Sequence, residues 1–226
     1  MPRTGRFAGL LLALLLALTV IPAAAEETAE SVIDDPSQLT GIQAGVTRSW
    51  NTTMDMSTPP AEGASFVYFA GVSVLEFDGE DNAGAAFTTL REFFETNAEE
   101  ELGIPAADIT FEERDDPGDA SFVFEGSFAD ETSEGYFRFV LVQDDEYVYY
   151  TGAVTSDEES AAIADDLATY VEDQDDDASG TGEFNEDGTS TGGLWDLLPA
   201  ADDAMFEGLA VASDQIQYPV EEDAAA

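Results

Sequence analysis

Apolar side chains recur along this chain first at a period of two, then near 3.6, and the switches between the two periods divide it into elements. Val46, Arg48 and Trp50 alternate within 41–50 and predict a short first strand. Ser65 to Phe77 is rich in aromatic and β-branched residues, as strands prefer. Gly71 within it predicts a bulge or a close backbone approach. After a polar turn at Asp78 to Asn82, Ala83, Ala86, Phe87, Leu90, Phe93 and Phe94 share one helical stripe, so an amphipathic helix is expected to about residue 101. The period then returns to two. Ile109 and Phe111, then Phe122, Phe124 and Phe128, then Phe137, Phe139 and Leu141, then Tyr147 to Val154 predict four strands separated by short turns. Ser156 and Glu159 stand at capping-box spacing ahead of a second stripe, Ile163, Leu167, Tyr170 and Val171. Short connections between consecutive strands imply an antiparallel meander. The prediction is an α+β fold: an antiparallel sheet of about five strands, with two helices packed together on one of its faces.

The pattern changes on both sides of this 41–172 domain. Arg3 and Arg6 precede an uncharged leucine- and alanine-rich run from Phe7 to Ile21, then Pro22 and Ala23-Ala24-Ala25. That order is the layout of a secretory signal peptide cleaved after Ala25. The run, at ~15 residues, is shorter than the ~20 that span a bilayer. Residues 26–40 read as a flexible acidic arm. Residues 173–193 hold Asp, Gly, Ser, Thr and Glu with Phe184 as the sole large apolar residue, which predicts a disordered linker. Beyond it, Leu194 to Val211 carries Trp195, Leu197, Leu198, Met205, Phe206 and Leu209, and an acidic alanine-rich tail runs to Ala226. This apolar segment, 194–211, either docks back on the domain or binds a partner.

Charge narrows the partners. The chain has 50 acidic residues, six arginines, no lysine and no histidine, for a formal charge of −44. All the acids and only four of the arginines follow Ala25. Phosphate recognition runs on Lys and Arg, so nucleic acid and anionic membrane surfaces are excluded as partners. A cationic or apolar envelope partner, or divalent cations, remain. The acidity is spread along the chain, as in a solvated surface suited to salty surroundings. Self-repulsion at low salt then opposes compaction.

The same inventory removes most chemistry. Without Cys, His or Lys there is no disulfide, lipidated cysteine, Cys–His or Ser–His nucleophile, Schiff base or His- or thiolate-ligated metal. Phosphate-loop and dinucleotide fingerprints do not occur. The sequence therefore nominates no catalytic and no cofactor-binding residue, calls for no cofactor, and leaves a metal site open. Calcium is the one ion suited to so many oxygen donors. Asp173, Asp175 and Asp177 match the start of an EF-hand loop, but Ala178 replaces its glycine and Phe184 its closing glutamate. Asp78, Glu80 and Asn82 also mimic a calcium start, although a turn opening a helix accounts for them. Tyr147, Tyr149 and Tyr150, with Phe137 and Phe139, offer either an aromatic ligand platform or ordinary core packing.

The segment Leu197-Leu198-Pro199, Asp202-Asp203, Glu207-Gly208-Leu209 resembles a pattern in uncharacterised secreted bacterial proteins, with Phe206 standing where those have proline. The element order is similar to PsbP/Mog1-like domains, a fold of exported lipoproteins and sensor ectodomains. These resemblances imply the α+β sandwich and supply no catalytic residue. The expectation is a secreted, non-enzymatic domain that binds a ligand or partner at the cell envelope or in the medium. The alternatives are an extracellular hydrolase using a carboxylate pair and a calcium-stabilised structural protein.

Overall fold

The computed structural model describes residues 39–52, 65–102, 104–129, 134–174, 178–184, 190–200, 204–206 and 209–218. The expected signal peptide, the arm up to residue 38, the loop around Pro59-Pro60 and the tail beyond 218 lie outside the described residues. In chain order the elements are β1 (Ile42–Thr52), β2 (Val67–Phe77), α1 (Glu80–Leu102), β3 (Ile109–Arg114), β4 (Ala120–Ala129), β5 (Glu134–Asp144), β6 (Tyr147–Thr155), α2 (Ile163–Glu172), β7 (Glu183–Phe184), β8 (Ser190–Thr191) and β9 (Leu209–Tyr218). The main sheet has the order β3-β4-β5-β6-β2-β1-β9, antiparallel at every pairing. Six strands come from within 41–172 rather than about five, because β1 is a full strand of 11 residues. The seventh, β9, is contributed by the C-terminal segment. Gly71 makes no bulge: it pairs in register with Ser49 and Gly152, and the irregularity in β2 falls between Val67 and Phe69.

The helices do not share a face. Alternation sends Phe69, Leu75 and Phe77 of β2, Phe122 and Phe124 of β4, Phe137, Phe139 and Leu141 of β5, and Val148 and Tyr150 of β6 to one side. There they meet Phe87, Leu90, Phe94 and Ala98 of α1. Phe94 stacks on Phe124 with centroids 4.5 Å apart, and Phe124 on Phe139 at 5.0 Å. The intervening residues, Val72, Val74, Val123, Val140, Val142 and Tyr149, point to the other side and meet Ile163, Leu167 and Val171 of α2. The molecule thus has three layers, where a two-layer sandwich was expected. The reason is visible in β6, whose nine residues are all buried: a strand apolar on both faces needs cover on both.

The helix α2 covers only part of its face. The rest is closed by the segment that follows the acidic stretch. Leu194, Trp195, Leu197, Leu198 and Phe206 are buried in the same cluster as Val46, Trp50 and Val74. The Phe206 ring lies flat on Trp50, centroids 3.8 Å apart. Buried Arg48 donates from Nη1 to the Pro199 carbonyl at 2.8 Å and sits 5.4 Å over the Trp195 ring. The segment then adds β9 to the free edge of β1. Docking on the domain is therefore the fate of the described residues of 194–211, as exposed Trp50 and Val46 would otherwise demand.

The acidic stretch before it is also held in places, a departure from the unstructured linker expected over 173–193. Tyr147 Oη donates to the Ala178 carbonyl at 2.8 Å, and Glu76 accepts from Ser179 Oγ and, at 2.8 Å, from the Gly180 amide. Leu194 N donates to the Gly180 carbonyl at 2.9 Å, and β7 pairs with β8. Polar side chains and backbone groups carry these contacts, so a composition almost free of apolar residues gives no sign of them.

Candidate functional site

At the end of the sheet where β4 runs out, β5 begins and β6 ends, the surface opens into a groove of about 600 Å³. Three chain segments build it. Ile104, Pro105 and Asp108 come from the turn before β3; Ser127, Phe128, Ala129, Gly135 and Tyr136 from the β4–β5 hairpin; and Ser156, Asp157 and Glu158 from the turn after β6. Its chemistry is mixed: apolar floor from Ile104 and Phe128, hydroxyls from Ser127, Tyr136 and Ser156, and carboxylates from Asp108, Asp157 and Glu158. No basic residue lines it.

Asp157 is held tightly. Ser156 Oγ donates to its Oδ2 at 2.6 Å, and the Ser160 amide donates to Oδ1 at 3.0 Å. These bonds to the ionised form, Ser156 first, pull its carboxyl down to about 2. Asp157 therefore caps the turn leading into α2, the task expected of Ser156 and Glu159. A carboxylate so held is ionised at neutral pH and is no proton donor. Across the groove, burial and then the Glu125 charge push the Tyr136 hydroxyl up to about 12. Tyr136 stays a neutral donor, hydrogen-bonded to Glu125.

Glu125 leads into a network that fixes this end of the sheet to α2. Arg138 Nε donates to Glu125 Oε2 at 2.6 Å, and its Nη1 to Asp165 Oδ2 at 2.7 Å. Arg114 reaches Asp165 Oδ1 at 2.8 Å and Glu112 Oε2 at 3.0 Å. The remaining arginines beyond Ala25 are Arg48, already placed, and Arg91, whose Nη1 meets Glu113 at 2.6 Å. All four thus serve the fold.

The other sequence candidates fall elsewhere. Tyr147, Tyr149, Tyr150, Phe137 and Phe139 are at most 5 % exposed, so they form core and no ligand platform. Tyr150 and Phe139 stack at 5.5 Å, and burial drives the Tyr150 hydroxyl well above its ordinary value. Asp78 accepts from Asn82 Nδ2, and both belong to the turn that opens α1. Asp173 follows the last turn of α2, while Asp175 and Asp177 lie outside the described residues. Among the described residues, no three carboxylates come together as metal ligands do. None is in a helix long and apolar enough to cross a membrane. Sequence reasoning missed the groove because its residues are turn residues, scattered over some 55 positions, with no shared motif. No family model matches the chain, and no curated protein matches it significantly in sequence.

Proposed function

We propose that the protein is a secreted, non-enzymatic binding domain that takes a small organic cation in the groove between the β4–β5 hairpin and the turn at Ser156–Glu158. One observation carries this reading: the groove offers three carboxylates and two aromatic side chains, Phe128 and Tyr136, while every arginine beyond Ala25 is committed to the fold. Aromatic faces beside carboxylates suit an ammonium group, which is attracted by both. A hydrolase reading finds no support at Asp157, which is locked as an ionised cap and cannot serve as the acid.

The test is an NMR titration of the full chain with spermidine, and separately with calcium chloride, at constant ionic strength. Saturable shifts confined to Ser127, Tyr136 and Glu158 are expected with spermidine, weakened several-fold in Glu158→Gln. Shifts spread evenly over the acidic surface, unchanged by that substitution, would reduce the effect to counterion condensation. Saturable shifts with calcium alone would favour the calcium-stabilised alternative.

A further inference from the structure

The C-terminal segment and the 41–172 domain it docks on are both strongly acidic overall, although β1 itself carries no acid and places Arg48 opposite Asp214 of β9. Between Leu194 and Ala226 the chain has eight acids and no base. The last arginine in the sequence is Arg138, so cationic help at this contact must come from the sheet. Arg48 supplies it, buried beneath Trp195 and bonded to Pro199. The rest of the attraction is apolar contact of Leu194, Trp195, Leu197, Leu198 and Phe206 with Val46 and Trp50, together with the backbone ladder of β9 on β1. Apolar burial strengthens or holds as salt is added, whereas repulsion between two acidic bodies fades within a Debye length of ~3 Å at 1 M and extends ~30 Å at 0.01 M. The two terms therefore move in the same direction with salt.

We infer that Leu194–Ala200, Met205–Phe206 and β9 form a strap whose closure is set by ionic strength: shut on the sheet in salt, and released as a unit at low salt while the α1 side of the molecule stays folded. The asymmetry is structural. The α1 face is closed by a helix of 23 residues flanked by strands on both sides in sequence, with Phe94, Phe124 and Tyr150 interlocked. The strap follows the last helix and meets the sheet through one side of β1 and a handful of side chains. Release would bare Trp50 and Trp195 together.

These are the only two tryptophans in the chain and both lie at the strap contact, so their emission reports that face, and hydrogen exchange separates strap release from unfolding of the sheet. The experiment follows tryptophan emission and amide hydrogen exchange of the full chain as sodium chloride is lowered from about 1 M to about 0.01 M. The expected result is a red shift with exchange at Trp195 and Leu198 faster by about tenfold or more, equivalent to ~1.4 kcal/mol, and no change at Phe94, Phe124 and Phe139. Joint loss of protection on both faces, or a constant signal at both, overturns the inference. Two variants guard against a merely damaged fold. Arg48→Gln moves the transition to higher salt. Replacing Asp202 and Asp203 by Asn, which removes two of the eight negative charges of the segment, moves it to lower salt; no shift in that variant also overturns the inference.

Discussion

The two faces of the sheet solve one problem in different ways. On the α1 side, phenylalanines from four strands meet a single long helix, and the packing is almost wholly apolar. On the α2 side, valines meet a helix of 10 residues and a strap from the end of the chain, and polar groups are buried with partners. Thr151 Oγ1 donates to the Ala164 carbonyl at 2.7 Å and Arg48 donates to Pro199, while at its half-buried margin Asp165 bridges Arg114 and Arg138. A buried polar group needs its partner in place, so the second face depends on pieces arriving in the correct geometry. The first has one such pair, Thr47 Oγ1 and Ser73 Oγ 2.7 Å apart, and otherwise rests on shape. Robustness should therefore sit on the α1 side and conditional behaviour on the other.

The largest effect should come from cutting a ring out of the robust side. Phe124 is fully buried and touches Phe94, Phe111, Phe122 and Phe139. Phe124→Ala should lower the unfolding free energy by about 3–5 kcal/mol, the usual range for an aromatic truncated in a core. Urea denaturation followed by far-UV circular dichroism measures it. Since both faces share the sheet, the loss should appear as one cooperative transition moved to lower urea.

The same change on the strap should cost less and look different. Phe206→Ala removes the ring stacked on Trp50. Its global cost is capped by the docking energy of the strap, since release leaves the rest folded. A loss of about 1–3 kcal/mol is expected, with β9 amides losing protection ahead of those in β4 and β5. Equal, coincident losses for the two variants would mean that the faces form one cooperative unit, and the contrast between them would fail.

Much of the first face was legible in the sequence, because one period suffices there. Phe122, Phe124, Phe137 and Phe139 alternate, Ala83 to Phe94 run at helical spacing, and these two patterns can only pack against each other. The second face was not. In Phe139-Val140-Leu141-Val142 every residue is buried, and a run with no polar phase cannot say which side receives a helix. That same run held a usable signal, since strands apolar on both sides belong in the middle of three layers. Arg48 had the phase of Val46 and Trp50, but its partner lies 151 positions away at Pro199, beyond any local pattern. The groove is harder still. Ser127, Asp157 and Asp108 are ordinary turn residues, and only the strand order brings them together.

The smallest predicted effect is also the one that separates the faces by pH. Asp157 sits where β6 hands over to α2, and its carboxyl is drawn to about 2 by Ser156 and the Ser160 amide. An unfolded aspartate titrates near 3.9. The folded value lies below the unfolded one, so the stabilisation is whole above about pH 4 and is lost as pH falls from there toward 2. Asp157→Ala should therefore cost about 1 kcal/mol at pH 6, the ordinary price of a capping side chain, and progressively less below pH 4. The quantity to measure is the difference in melting between wild type and variant, not the wild-type curve alone. Protonating the many other carboxylates relieves self-repulsion at the same time and pulls the absolute stability the other way. A difference that stays constant from pH 6 to pH 2 would mean that the Asp157 cap contributes through shape and not charge. The α1 side then offers the control: the stability difference of Phe124→Ala, which removes no titrating group, should be flat across the same range.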